Sequence, residues 1–278
     1  MHILIESVQD SNIPEDLLAL YPDKLSQIIK HASDSAPGPD GVTYNHLSSL
    51  DSDELTSLTD ILIESVQDSN IPEDWLDSHL CPVPKPGKDL SSIKGYRIIT
   101  MQNTIGKLLE KVVARLLAEE LEAKGLLPPT LGSYRRGKET WMNAAVLASD
   151  VYDGFEKKEE TIVIALDLED AYNRVQYDVL MRTLARMKVS PLLVMWTGAA
   201  LLKRKVALRV GSWSSEVHSI TPGLPQGSAL SPVLFNVYTV GITSNQLEGP
   251  GRTLSFADDV LVYRSGRNRD EVAQSAQE

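Results

Sequence analysis

Two apolar stretches in the second half of the chain each carry acidic residues at or near one end. The run at 162–166 (IVIAL) is uninterrupted, which predicts a strand in the centre of a sheet, and Asp167 follows it directly. Between residues 254 and 263 (LSFADDVLVY), β-prone residues flank Asp258 and Asp259, which predicts a strand, a two-residue turn at the two acids, and a second strand. Unpaired carboxylates are costly to bury, so this pair should face water, a cation or a metal. A solvated turn explains the hairpin alone equally well, but with Asp167 at the same sheet end the pattern favours a two-metal phosphoryl-transfer site.

The rest of the pattern predicts helices and two further strand pairs. Apolar stripes of helical period predict helices at 50–70, 105–124, 140–155, 177–187 and 191–202, the second ending at Gly125. Strands are expected at 81–88 and 95–101, and a hairpin at 206–210 and 216–220 around Gly211-Ser212. The Gly/Pro-rich stretch 221–231 should lead into a helix with Ser231 as its N-cap and Pro232 as its first residue. Residues 265–278 are expected to form only a charged tail.

One segment occurs twice. Residues 3–16 recur letter for letter at 61–74. Solenoid repeats need about three degenerate copies, so a single perfect copy indicates a recent duplication or a gene-model artefact. The second copy continues into Trp75 and a strand-like segment, and we expect it to be the structural one, with the first a loosely held helix.

Composition and charge narrow the functional classes. With Cys81 as the only cysteine, no internal disulfide can form, and five scattered histidines argue against a zinc site. No signal peptide or membrane-spanning run is present, so we expect an intracellular protein without a membrane partner, in the nucleus or the cytoplasm. The net charge is −11, but residues 1–80 hold sixteen acids against two lysines, and 85–138 hold eleven Lys/Arg against five acids. A basic middle is compatible with phosphate binding, although charged helix faces are usually just solvated.

The order of several motifs is more specific than any one of them. They are APGPDGV (36–42), IPEDW (71–75), KPGK (85–88), YRII (96–99), ALDLEDAYNRV (165–175), GLPQGSALSPVLFN (223–236) and FADD (256–259). In this order the sequence resembles the reverse transcriptases of non-LTR (LINE-like) retrotransposons over residues 36–264. The resemblance implies an α+β fold, a right-hand polymerase palm whose antiparallel sheet has helices on one face, together with fingers.

The resemblance also implies roles for particular residues. Asp167 and Asp258 match the two principal metal-binding aspartates, and Asp259 the third acid. Tyr172 matches the aromatic residue beneath the sugar that excludes a 2′-hydroxyl; the alternative is a packed core tyrosine. Lys85 and Arg97 match positions that contact the triphosphate; the alternative for both is a solvated surface residue. Gln226 and Gly227 match positions at the templating pair; the alternative for both is a tight turn that enters a helix.

The sequence departs from the family pattern in three places. Ile98 replaces the proline usual after the finger arginine, which makes the path of that ribbon less certain. Leu131 and Ser133 replace a Gln and a Gly, which puts a template contact in doubt. After FADD the chain ends before the family's thumb, so we expect a truncated domain, thumb absent, that does not polymerise processively.

We expect 1–34 to be a duplicated acidic segment, 35–160 fingers and fingers–palm helices, and 161–278 the palm core.

The function that follows is RNA-directed DNA polymerisation by two-metal nucleotidyl transfer. The partners would be an RNA template, a DNA primer and deoxynucleoside triphosphates, and the cofactor two Mg²⁺ ions, with Mn²⁺ as a substitute, because the ligands are all oxygen. The alternative is a catalytically incompetent retroelement fragment that folds or binds nucleic acid without polymerising. An RNA-copying polymerase is a further rival, but that chemistry usually has a small polar residue in place of Tyr172.

Overall fold

The fold is of the α+β class that the sequence predicts, and it is divided into two compact units. A computed structural model describes residues 21–32, 35–244 and 250–277, with side chains from residue 25 onward. The first unit comprises residues 1–117 and 176–231, and the second comprises 118–175 and 232–278. The first copy of the repeat, with the helix expected there, lies outside the described residues. The division into a segment at 1–34, fingers at 35–160 and palm at 161–278 stays a prediction.

Helices form most of the first unit. They are α1 (Tyr21–His31), α2 (Tyr44–Ser48), α3 (Ser52–Gln67), α4 (Thr104–Ala123, to Leu117 in this unit), α6 (Tyr177–Arg186) and α7 (Pro191–Leu202). At the start of α3 the Asp51 carboxylate accepts hydrogen bonds from the N–H groups of Asp53 and Glu54, both at 2.9 Å, as an N-cap does. The apolar stripe of α4 is buried, and α7 buries seven of its twelve residues. Together they form the core of this unit.

The first unit also contains a mixed sheet. Its strands are β1 (Ser78–Pro84), β2 (Tyr96–Gln102), β4 (Lys205–Val210), β5 (Trp213–Ser214) and β6 (His218–Ser219). β1 pairs antiparallel with β2 and parallel with β4, and β4 pairs antiparallel with both β5 and β6.

Two predicted features of this sheet differ from the observed ones. The strand predicted at 81–88 begins at Ser78 and ends at Pro84, since Pro86 and Gly87, which has a left-handed φ, do not continue the ladder. The turn at Gly211-Ser212 is confirmed, but the return strand predicted at 216–220 is split into β5 and β6. The Ser215 hydroxyl accepts the hydrogen bond of the Leu208 N–H at 2.9 Å and so replaces a backbone partner at that point.

The second unit is built around a three-stranded antiparallel sheet. Its strands, in the spatial order β3-β8-β7, are β3 (Glu160–Asp167), β8 (Asp259–Gly266) and β7 (Gly251–Phe256). Its helices are α5 (Thr140–Glu156), α8 (Ser231–Ser244) and α9 (Arg269–Gln277). The sequence predicted a central position for β3, but among the described strands it lies at an edge, with Val163 and Leu166 exposed. An apolar run indicates a strand but does not distinguish a centre from an edge.

The end of the chain is helical rather than a simple charged tail. α9 follows β8, and its Val272 is buried. The Asn268 side chain accepts a hydrogen bond from the Asp270 N–H at 3.1 Å and donates one to Glu271 at 2.9 Å. An asparagine three residues ahead of a glutamate, here Asn268 and Glu271, is a sequence signal for the start of a helix. The prediction of a simple charged tail missed this signal.

Helices contact both faces of this sheet, not one. The Tyr263 hydroxyl donates a hydrogen bond to Asp150 of α5 at 2.6 Å, whereas the neighbouring Arg264 donates to the Ser275 carbonyl of α9 at 3.2 Å. Successive residues of a strand project to opposite faces, so α5 and α9 cover different faces. Among the helices of the described ranges, none is long and apolar enough to cross a membrane.

Candidate functional site

Three acidic residues lie together at one end of the sheet in the second unit. Asp167 ends β3 and pairs with Asp259, the first residue of β8. Asp258 lies in the turn between β7 and β8, and its carbonyl oxygen accepts a hydrogen bond from the Leu168 N–H at 3.3 Å. Residues paired across antiparallel strands have Cα atoms roughly 4.5–5.5 Å apart and project to the same face. The prediction that two strands bring their acids to one sheet end is confirmed.

The turn lies one residue earlier than predicted. Because Phe256 pairs with Asp259, the two turn residues are Ala257 and Asp258, not Asp258 and Asp259. Ala257 has a φ of 56°, in the left-handed region that costs an L-residue about 1–2 kcal/mol. Asp258 is therefore held at the tip of the turn, and Asp259 is fixed in the strand.

The three acidic side chains offer oxygen donors to a divalent cation. Asp167, Asp258 and Asp259 are all exposed, and none forms an ion pair with a basic side chain in the described part of the chain. Within the same ranges, no three acidic, histidine or cysteine side chains converge in an arrangement that would hold a metal. An all-oxygen donor set suits a hard divalent cation, and these three neighbours are the residues that would hold one.

Tyr172 lies close to these acids and is held by packing. It belongs to the 3₁₀ turn Ala171–Arg174, and its ring stacks on that of Phe235, with centroids 4.7 Å apart and planes at 14°. Burial raises the pKa of Tyr172 far above its usual range, and a hydrogen bond with Tyr134 and the charge of Asp258 raise it further. The phenol is therefore protonated at neutral pH, and the stack on Phe235 fixes the ring.

Lys85 and Arg97 lie on the β1–β2 ribbon of the first unit. Arg97 pairs with Val83 and is exposed, which leaves its guanidinium accessible to an anion. The Lys85 ammonium donates a hydrogen bond to the Lys94 carbonyl at 3.1 Å, and its backbone N–H donates to Gly95 at 2.8 Å. Lys85 thus closes the turn of the ribbon, while the Arg97 side chain is exposed to solvent.

The loop 223–228 in the first unit carries Gln226 and Gly227. The Gln226 carbonyl accepts a hydrogen bond from the Thr100 N–H of β2 at 2.7 Å. Gly227 has a φ of 112°, and a Cβ there would lie 2.8 Å from the Thr100 carbonyl oxygen, so the position requires glycine. Both predicted residues are therefore held against β2.

The cap of the following helix differs from the prediction. α8 begins at Ser231, and its first amides are satisfied by Ser228, whose hydroxyl accepts hydrogen bonds from the N–H groups of Leu230 and Ser231 at 3.1 and 3.3 Å. The Ser231 hydroxyl instead donates to the Pro225 carbonyl at 2.9 Å. Both hydroxyls lie on the same turn, and sequence spacing alone did not separate them.

The two substituted positions at 131 and 133 have structural partners. Leu131 is fully buried and forms a bridge to Ser255 of β7. The Ser133 hydroxyl donates to Asn236 at 3.0 Å, and the Asn236 amide donates back to the Ser133 carbonyl at 2.8 Å. These side chains anchor the segment to its own unit rather than presenting it to a ligand.

Comparison with known proteins gives the family. The profile described as "Reverse transcriptase (RNA-dependent DNA polymerase)" matches residues 83–278. The chain belongs to the reverse transcriptase family. The resemblance to the enzymes of non-LTR retrotransposons is also confirmed by the names of the curated relatives of this domain.

Three of these relatives show the extent of the similarity. The domain is 25% identical to the probable RNA-directed DNA polymerase from transposon X-element of Drosophila melanogaster, over 90% of this chain and 28% of that protein. It is 28% identical to the retrovirus-related Pol polyprotein from type-1 retrotransposable element R2 of Popillia japonica, over 84% of this chain and 33% of that protein. It is 24% identical to the RNA-directed DNA polymerase from mobile element jockey of Drosophila funebris, over 87% of this chain and 27% of that protein. The domain therefore spans about a third or less of each relative.

A solved structure shares the fold. Apo telomerase from Candida tropicalis, truncated from its C-terminal domain, superposes with a TM-score of 0.53 over 84% of this chain and 51% of that one, at 12% identity. At this identity the similarity shows the fold alone, and it agrees with a polymerase palm and fingers.

Proposed function

We propose that this domain adds deoxynucleotides to the 3′ end of a primer under the direction of an RNA template. The observation that carries the proposal is the pairing of Asp167 with Asp259, with Asp258 in the adjoining turn, in a chain of the reverse transcriptase family. Strand ends that bring several carboxylates together suit phosphoryl transfer, where catalysis is positioning and charge stabilisation.

Asp167 and Asp258 would hold two divalent ions, and Asp259 would be the third acid. When bound, the ions would lower the pKa of the primer 3′-hydroxyl and stabilise the charge of the leaving pyrophosphate. The primer 3′-hydroxyl loses its proton to solvent and its oxygen forms a bond to the α-phosphorus, while the bond from that phosphorus to the oxygen bridging to the β-phosphate breaks and pyrophosphate leaves. The carboxylates form and break no bond themselves, and they set the position of the reacting groups.

Residues outside the acidic cluster would select and orient the nucleotide. The exposed guanidinium of Arg97 suits a triphosphate, since it can donate two parallel hydrogen bonds to phosphate oxygens. Lys85 keeps further N–H groups beyond the one used for the Lys94 carbonyl. The Tyr172 ring, fixed by Phe235, would lie beneath the sugar and exclude a 2′-hydroxyl.

A single-nucleotide insertion assay tests this function without requiring processive synthesis. The chain is mixed with a DNA primer on an RNA template, Mg²⁺ and the next complementary deoxynucleotide. We expect extension by one residue, no extension with a non-complementary nucleotide, and none with excess EDTA. Extension that persists in EDTA would contradict the proposal.

A second candidate is a fragment that binds nucleic acid but does not polymerise. The lack of three converged acidic side chains within the described ranges favours it. A gel-shift measurement with the same primer–template separates the two. Binding without insertion at any Mg²⁺ or Mn²⁺ concentration would support this candidate over the polymerase.

A further inference from the structure

A buried acid in the first unit has no part in the chemistry described above. Glu110 of α4 is only 4% exposed, and its carboxylate accepts a hydrogen bond from the Ser228 hydroxyl. The Gln102 side chain and the Ala229 N–H also donate to it. Burial raises the pKa of Glu110, and these hydrogen bonds together with the charge of Arg204 oppose that effect. A carboxyl group is costly to bury, so its place behind this loop calls for an explanation.

The hydrogen bonds of Ser228 fix the direction of its contact with Glu110. The serine oxygen already accepts from the N–H groups of Leu230 and Ser231. Its one proton is therefore donated to Glu110, and the group at that position must be an acceptor. The carboxylate thereby fixes the end of the 223–228 loop where α8 begins.

A second buried charge holds the other end of the loop. Arg204 is 6% exposed, and its Nη1 donates to the Gly223 carbonyl and to the Tyr177 hydroxyl, both at 3.1 Å. The Tyr177 hydroxyl itself donates to the same Gly223 carbonyl at 2.6 Å. Between these ends, the loop is joined to β2 by the hydrogen bond from Thr100 to Gln226. The loop is thus fixed at both ends by ionisable groups that solvent does not reach.

We propose that Glu110 is a positioning residue that holds the 223–228 loop through Ser228, so that Gln226 and Gly227 meet the templating base pair. The proposal rests on the proposed function and on the role that the family resemblance implies for those two residues at the templating pair. Glu110 itself touches no substrate. It acts because a carboxylate accepts at both oxygens, whereas a glutamine would turn an NH₂ group towards the donors that surround it.

The first arm of the test reads the loop directly and needs no activity. The Thr100 amide is the reporter, because it donates to the Gln226 carbonyl. In hydrogen–deuterium exchange, Glu110→Gln and Ser228→Ala should each speed exchange at Thr100 by about tenfold or more, as expected when a buried hydrogen bond to a charged group is lost. The matched control is Ser65→Ala, which removes a buried serine hydroxyl that donates to the Asn70 carbonyl at 2.8 Å. It should leave Thr100 unchanged.

The second arm measures single-nucleotide insertion by the same variants. Both loop variants should raise the KM for the complementary deoxynucleotide about tenfold and leave kcat within about twofold. The double variant should have the same KM as either single variant, because both substitutions remove the same contact between Ser228 and Glu110. Ser65→Ala should change neither constant. Ser228→Ala leaves the carboxylate in place and serves alone if Glu110→Gln does not fold.

The outcomes separate the two proposals. Unchanged Thr100 exchange in both loop variants would overturn the positioning role, as would equal changes in Ser65→Ala. If kcat and KM change equally in all three variants, Glu110 only stabilises the fold, and the positioning role is overturned. If the unmodified chain inserts no nucleotide, the proposed function fails, and the exchange at Thr100 still decides whether Glu110 holds the loop.

Discussion

Substituting Gly227 by alanine tests the close contact between the 223–228 loop and β2. Two costs are expected. A side chain at a φ of 112° is strained by about 1–3 kcal/mol. A Cβ at 2.8 Å from the Thr100 carbonyl oxygen must also push the loop away, which would lose the hydrogen bond from Thr100 to Gln226, worth about 0.5–1.5 kcal/mol. Together these give a loss of about 2–4 kcal/mol in the free energy of unfolding.

Two other glycines provide matched controls. Gly87 has a φ of 69°, but no atom lies within 4 Å of the place a Cβ would take, so Gly87→Ala carries the conformational strain alone. Gly241 lies in α8 with open space around it, so Gly241→Ala should stabilise the chain by about 0.5–1 kcal/mol. The difference between Gly227→Ala and Gly87→Ala therefore reports the contact with Thr100 together with the greater strain of a φ of 112°.

Denaturation by heat and by urea measures these differences. At about 2–4 °C per kcal/mol, the melting temperature of Gly227→Ala should fall by roughly 5–15 °C, and that of Gly241→Ala should rise slightly. If Gly227→Ala loses no more stability than Gly87→Ala, the loop does not approach β2 as closely as described. The reasoning on Gln226 would then fail with it.

Three further predictions concern nucleotide selection and pH. Tyr172→Ala should raise ribonucleotide insertion relative to deoxynucleotide insertion, whereas Tyr172→Phe, which keeps the ring, should not; unchanged selection in Tyr172→Ala would leave it a core residue. Arg97→Ala should raise the KM for the triphosphate about tenfold in the insertion assay, since a charge-assisted hydrogen bond is lost; an unchanged KM would exclude the contact. The Arg135 guanidinium, bound to Glu122 at 2.6 and 2.8 Å, lowers the pKa of that carboxyl. The pair should therefore stabilise the chain above about pH 4.3 and lose this effect as the pH falls through the lowered pKa. The free energies of unfolding of Glu122→Gln and of the unmodified chain should then converge in acid. A difference between them that stays constant with pH would contradict this.

The elements that the sequence predicted well have long, regular patterns. The stripe of α4 and its stop at Gly125, which has a φ of 61°, gave that helix within one residue at each end. The hairpin that carries Asp258 and Asp259 could be predicted because two β-prone runs joined by a short turn leave little choice of register. Its pairing with the strand of Asp167 joins distant parts of the chain, and local pattern does not contain it.

Other features depend on contacts that local pattern does not contain. A single glutamate on a helix gives no periodic signal, so neither the burial of Glu110 nor its bond to Ser228 could be predicted. The edge position of β3 depends on which strands pair with it, and an apolar run is the same in either position. The stacking of Tyr172 on Phe235 joins residues 63 positions apart and is known only from the folded chain.

The most direct test of the account is the rate of single-nucleotide insertion as Mg²⁺ is titrated, for the unmodified chain, Asp167→Asn and Asp153→Asn. Asp153 is an exposed aspartate of α5 in the same unit, so the control makes the same chemical change away from the acidic cluster. Asp167→Asn should reduce insertion by about a thousandfold or more at every Mg²⁺ concentration, because a metal contributes several kcal/mol to phosphoryl transfer. Asp153→Asn should remain within about twofold of the unmodified chain. Insertion by Asp167→Asn at the unmodified rate, or equal loss in both variants, would contradict a metal-dependent site at Asp167, Asp258 and Asp259.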